Sequence, residues 1–116
     1  MKEIKTNRGN LYFEFNHVLP NVVNEEPDRG TYAVVKNSKR KDQYVTNIKS
    51  VGTYCLVKEE GPRGEILGQA RTNVHPSDVH NFNKDRGRRV SMGRVMDIMY
   101  LTKEERAQVW ESYLNR

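Results

Sequence analysis

The spacing of apolar and polar positions changes once along this chain, near residue 72. Before that point the apolar residues come in short β-branched or aromatic runs bounded by turn formers, the mark of strands. Residues 11–15 (LYFEF) follow Asn7-Arg8-Gly9-Asn10, and residues 31–36 (TYAVVK) follow Pro27-Asp28-Arg29-Gly30. Residues 43–48 (QYVTNI) alternate, with Tyr44, Thr46 and Ile48 on one face. A basic loop at 37–42 separates these two runs, and 53–58 (TYCLVK) makes the next strand. Gly61-Pro62-Arg63-Gly64 is a hairpin signal that leads into 65–72 (EILGQART). The connections are short, so an antiparallel meander sheet of four to six strands is expected. The polar stretch 21–28 reads as a flexible loop.

From about residue 73 the period lengthens. His75-Pro76-Ser77-Asp78 reads as a turn or a first helical turn, with Pro early and Ser or Asp as a cap. Met92, Val95, Met96 and Met99 fall at i, i+3, i+4 and i+7, one face of a helix that packs on the sheet. Asn83 and Asp85 are candidate caps if that helix starts near Asp85 or Gly87; a start near Ser77 is the alternative. Thr102-Lys103-Glu104-Glu105 is a capping box that opens a last helix. Ala107, Trp110, Tyr113 and Leu114 are predicted to line its inner side, with Trp110 as a packing anchor. The fold class is therefore α+β: a single domain 1–116, mainly strands over 1–72 and mainly helices, two of them, over 73–116.

Composition narrows the classes of function. At 116 residues the chain allows one domain, and only 35% of it is hydrophobic against 30% charged. A core this thin leads us to expect a homo-oligomer, a dimer or larger. No apolar run approaches the ~20 residues of a spanning helix, so no membrane partner is expected. The N-terminal residues show no secretory signal, and Cys55 is the single cysteine, so a cytosolic location is expected. One Cys and three His offer no local zinc motif, and no metal or other cofactor is expected.

The net charge of +5 has an address. Lys84, Arg86, Arg88, Arg89 and Arg94 stand against Asp85 alone within eleven positions. If the helix starts there, cations crowd its N-terminal end and oppose its dipole, an arrangement that a bound anion relieves. Phe82, flanked by Asn81 and Asn83, stands beside them; such a ring can stack a base while guanidiniums hold its phosphates, and the alternative is a core Phe at the helix entry. In the blander alternative the arginines are solvated or paired with Asp78, Asp85 and Asp97, with Arg94 and Asp97 at helical spacing. Gly87 and Gly93 permit a close approach of backbone or ligand. Lys39-Arg40-Lys41 is a second basic spot, on a loop. His75, Ser77 and Asp78 are of triad type, but turn formation accounts for them. No Walker loop, HExxH or GxSxG pattern occurs, so a binding protein rather than an enzyme is expected.

Gly68-Gln69-Ala70-Arg71, His75-Pro76-Ser77-Asp78, Phe82-Asn83, Gly87-Arg88 and Gly93-Arg94 together form a pattern. It resembles that of small phage-encoded anti-defence proteins, and among them the Thoeris anti-defence sponge family. The resemblance spans positions 68–95; Ser91 and Val95 stand where the family pattern has alanine, and two further residues precede Phe82. It implies sequestration, without chemistry, of a cyclic nucleotide or ADP-ribose-type ligand in pockets between subunits. It also implies ligand contacts at Phe82, Asn83, Arg88 and Arg94. Together with the charge pattern, the candidate ligand-binding set is Phe82, Asn83, Arg86, Arg88, Arg89 and Arg94. The alternative reading is a nucleic-acid or host-protein binding module that uses the same basic patch.

Overall fold

In the computed structural model of the chain, residues 3–115 are described, save the side chains of Pro76, Ser77 and His80. Strands β1 (Glu3–Thr6), β2 (Gly9–Val18), β6 (Gly52–Glu59) and β7 (Ile66–Asn73) form an antiparallel sheet in the order β1-β2-β6-β7. Strands β3 (Val22–Val23), β4 (Ala33–Val35) and β5 (Gln43–Val45) form a second, three-stranded sheet in the order β3-β5-β4. Helices α1 (Lys84–Ile98) and α2 (Lys103–Leu114) follow. The α+β class and the two C-terminal helices are those the sequence predicts. The meander is interrupted by residues 19–51, which leave the sheet after β2 and return at β6. This arm makes the molecule long, 53 × 25 × 21 Å, with a radius of gyration of 17.3 Å against about 13 Å for a compact chain near this length.

Alternation along the central strands decides which face is buried. In β2, Leu11 and Phe13 point inward, and in β6 Cys55 and Val57 do so, while Tyr54 is exposed on the other face. The helices cover the inward face. Met92, Val95 and Met96 of α1 are buried there, Met99 packs partly against them, and Val109 and Tyr113 come from α2. The methionine stripe is thus a core face. At β7 the helix comes so close that a Cβ on Gly68 would press on the Met99 side chain at 2.7 Å. A second small core joins Val45, Ile48 and Val51 of the arm to Val79, and Val35 and Phe82 pack against it.

Four local expectations are corrected. Strand β5 ends at Val45, so alternation stops, and the buried residues are Val45 and Ile48 rather than the set Tyr44, Thr46 and Ile48. Within the polar stretch 21–28, Val22 and Val23 pair with β5. The inner side of α2 is Glu105, Val109 and Tyr113, with Trp110 half-buried beside them; Ala107 and Leu114 are exposed. Asp97 pairs with Arg106 at 2.6 Å, not with Arg94.

Both helix junctions are secured by side chains. The capping box forms: Thr102 Oγ1 accepts from the Glu105 amide at 3.1 Å, and Glu105 Oε1 accepts from the Thr102 amide at 2.8 Å. Arg8, in the β1–β2 turn, forks onto Glu105 at 2.9 and 3.2 Å. The same guanidinium donates to the carbonyls of Met99 and Tyr100 at the end of α1, at 2.8 and 3.1 Å. One cation thereby satisfies orphan carbonyls of α1 and anchors the start of α2. The Arg8 hydrogen bond, before any other cause, holds Glu105 well below the usual carboxylate range, at about 2.

Candidate functional site

The site is built where the arm meets the helices. Asn83 caps α1: its backbone is extended and its side-chain oxygen accepts from the Arg86 amide at 3.0 Å. Residues 76–81 form a separate short 3-10 turn, so α1 starts at Lys84 and the alternative start near Ser77 does not occur. Arg86, Arg88 and Arg89 then fall within the first two turns.

Phe82 is set by a chain of contacts that begins in the helix. Gly87 lies flat against β6, where an added Cβ would collide with the Thr53 hydroxyl. Thr53 is fully buried, and its Oγ1 is hydrogen-bonded to His17 Nδ1 at 2.8 Å. The His17 ring meets Phe82 edge-on, with centroids 5.9 Å apart and planes at 75°. Burial, then the charges of Arg88 and Lys84, lower the His17 pKa below its ordinary value, which favours the neutral imidazole.

A cleft of about 450 Å³ opens at this junction. The ends of β6 and β7 (Thr53, Thr72, Asn73) form one side, and His75, Asp78, Asn81, Phe82 and Asn83 form another. Arg86, Val90 and Arg94, at successive i+4 positions of α1, form a third. Its volume is in the range of small-molecule sites. Arg94 is steadied from below, with Nη1 donating to the Arg71 carbonyl of β7 at 2.8 Å. A guanidinium has five donors, so this bond leaves others for a ligand.

The structure therefore divides the predicted set. Phe82, Asn83, Arg86 and Arg94 come together in the cleft. Arg88 and Arg89 turn toward α2. Arg89 pairs with Asp85 at 2.9 Å and lies over the Tyr113 ring at 5.9 Å. Arg88 Nε donates to the Tyr113 hydroxyl at 3.2 Å, and that hydroxyl donates to Asp85 at 2.6 Å. The Tyr113 hydrogen bond first, with Arg89 in support, lowers the Asp85 pKa. These two arginines fasten one helix to the other. Gly87 makes its close approach to Thr53, whereas an added Cβ at Gly93 would meet open space.

Of the triad-type residues, His75 and Asp78 line the cleft, and the Asp78 amide donates to the His75 carbonyl in a turn; the side chain of Ser77 lies outside the described residues. Burial pushes the Cys55 thiol up to about 12, so it stays protonated and unreactive. Among the described residues, no cluster of three His, Cys, Asp or Glu side chains converges as a metal site, and no helix is long and apolar enough to cross a membrane. The cleft residues missed from sequence are Gly52, Thr53, Thr72, Asn73, Val74 and Val90. Val90 was accessible from the i+4 spacing of Arg86 and Arg94 once the helix start is fixed. Gly52, Thr53, Thr72 and Asn73 reach the cleft through strand pairing, such as Thr53 opposite Thr72. Comparison of the chain with protein-family models, with curated proteins and with solved structures finds no match.

Proposed function

We propose that this protein binds a phosphorylated nucleotide in the cleft at the start of α1 and holds it without turnover. The observation that carries this reading is the convergence of Arg86 and Arg94 with Phe82 on one cavity of about 450 Å³. Two guanidiniums supply forked donors for phosphate oxygens. The aromatic ring supplies a wall for a base, and Asn73, Asn81 and His75 supply polar groups for sugar or base edges. Arg88 and Arg89 support the fold in this scheme and do not touch the ligand.

The narrower reading is sequestration of a cyclic nucleotide or ADP-ribose-type signal by an anti-defence protein acting as a homo-oligomer. Its support is that positions 68–95, which resemble the sponge family, contribute Thr72, His75, Phe82, Asn83 and Arg94 to the cleft. A thermal-shift panel of mononucleotides, cyclic nucleotides and ADP-ribose isomers tests both levels. A true ligand at a hundred times its Kd adds about 2.7 kcal/mol, or about 10 °C in Tm for a chain of this size. Arg86→Ala should cut that shift by about half or more while leaving the Tm of the free protein within about 2 °C, and heating the complex should return the ligand chemically intact. A panel without any stabilising nucleotide would sink the reading, and an altered ligand would make the protein an enzyme.

A further inference from the structure

Phe82 is a wall of two cavities, not one. On its other side lies a groove of about 560 Å³ lined by Leu19, Pro20, Val22, Val35, Gln43 and Lys84. This groove is mostly apolar along the arm, with one cation, Lys84, at the first position of α1. Leu19 and Val22 are about half exposed in it, at 49% and 48%.

Two residues of the groove wall flank a second set of charges in the chain. Val35 and Gln43 are cross-strand partners, and they close the hairpin formed by residues 36–42. That hairpin carries Lys36, Lys39, Arg40 and Lys41. Its acid is Asp42, which takes a long 3.4 Å contact from Lys36 while leaving that lysine side chain 84% exposed. The loop has internal order: the Lys39 amide donates to Asn37 Oδ1 at 3.1 Å. Phe82 thus has Arg86 and Arg94 in the cavity on one side and Lys84 in the other, and the hairpin cations follow directly in the chain from Val35 of the groove wall.

A mononucleotide fills the cleft alone and leaves the groove and the hairpin unused. A ligand with a repeating phosphate backbone and separable bases uses all three. We infer that the cleft, the groove across Phe82 and the 36–42 hairpin form one track for single-stranded nucleic acid. One nucleotide sits in the cleft, the next base lies against the Leu19–Val35 wall, and the following phosphates meet the hairpin cations. This inference rests on the nucleotide reading of the cleft and extends it from a mononucleotide to a strand. Duplex is disfavoured because its bases are stacked and paired, while the Phe82 wall lies inside two recesses.

The test is fluorescence anisotropy with labelled dT12 and U12, competed by dTMP and UMP, on the full chain and two variants. The first variant replaces Lys39, Arg40 and Lys41 together by alanine; all three are exposed, and no core contact is lost. The expected result is a strand bound at least tenfold tighter than its own mononucleotide, the tighter of dT12 and U12 naming the sugar. The hairpin variant should lose about tenfold for the strand and leave the mononucleotide unchanged. Its slope of log affinity against log salt should fall by about 2, roughly 0.7 for each lost phosphate contact. A strand no tighter than the mononucleotide, a hairpin variant with unchanged slope, or a duplex preferred over the strand each overturns the track and leaves the mononucleotide cleft standing. If Arg86→Ala, the second variant, leaves strand and mononucleotide affinity unchanged, the cleft reading falls with it.

Discussion

Arginines on two faces of α1 meet different fates, although they lie within nine residues of each other. On the face toward α2, Arg88 and Arg89 find partners inside the protein: the Tyr113 hydroxyl, the Asp85 carboxylate and an aromatic ring. On the face toward the end of β7, Arg86 and Arg94 border a cavity, and Arg94 is fixed by a backbone carbonyl rather than by an acid. Each face carries two arginines. What separates them is the 100° step of the helix, which puts Arg86, Val90 and Arg94 in one row and Asp85, Arg88 and Arg89 in another. A run of basic residues is therefore not one site, and its members are sorted by what each row faces.

The largest effect should come from the point where both faces are held against the sheet. Gly87→Val places a branched side chain against the buried Thr53 hydroxyl, which is fixed by His17. Overpacking of this kind costs about 3 kcal/mol. Urea unfolding should show that loss, and Thr53→Ala in the same chain should restore part of it. An unchanged midpoint for Gly87→Val would mean that α1 does not seat on β6 at this residue.

Acid separates the two faces by pH. His17, on the cleft side, has a pKa lowered from its ordinary 6.5, chiefly by burial. Its contribution is complete above pH 6.5 and is lost as pH falls through the lowered folded value, because the unfolded chain takes the proton more readily. Glu105, on the α2 side, is lowered from 4.5 to about 2 by Arg8 and Thr102. Its contribution is complete above pH 4.5 and is lost as pH falls toward 2. Urea midpoints followed downward from pH 8 should show two declines, and Glu105→Gln should remove most of the lower one. A midpoint that stays flat below pH 4.5 would contradict the Arg8–Glu105 clamp.

Replacing Arg88 and Arg89 together by alanine is the direct test of the sorting. One hydrogen bond to Tyr113 and a half-exposed pair with Asp85 are lost, about 1 kcal/mol in all. Nucleotide affinity should stay within twofold. Arg86→Ala should do the reverse, with affinity reduced tenfold or more and stability unchanged. Equal binding losses in both variants would erase the distinction between the faces.

How far this was legible in the sequence depends on the range of the signal. The methionine stripe, the Thr102–Glu105 capping box and the Asn83 cap are local patterns, and all three stand in the structure. The α+β class followed from the change of period near residue 72. The second sheet was not legible, since β3, β4 and β5 are two or three residues long and take their partners from outside their own segments. The pairing of β1 with β2 was missed because Glu3–Thr6 is polar, with Ile4 as its only apolar residue. Of the candidate site, charge density pointed to the right segment. It did not tell Arg88 from Arg94, because that depends on Tyr113 and Arg71, one 25 residues beyond Arg88 and the other 23 before Arg94.

The smallest effect concerns the end of α1 away from the cleft, and it tests whether the two ends are independent. The helix stops in a Schellman motif: the Leu101 amide donates to the Met96 carbonyl at 3.1 Å and the Tyr100 amide to that of Asp97 at 3.1 Å. The residue that must turn left-handed is Tyr100, with φ of 54°, where glycine is the usual choice. Its ring is 86% exposed and has little burial to lose. Its carbonyl keeps the Arg8 bond whatever the side chain. Tyr100→Gly should therefore stabilise the fold by about 0.5–1 kcal/mol, the relief of backbone strain less the added freedom of glycine in the unfolded chain. Tm should rise by a few degrees, with nucleotide affinity and the hairpin-dependent strand affinity both unchanged. A gain in stability accompanied by altered binding would show that the two ends of α1 are coupled through the helix, and would move the comparison from its faces to its length.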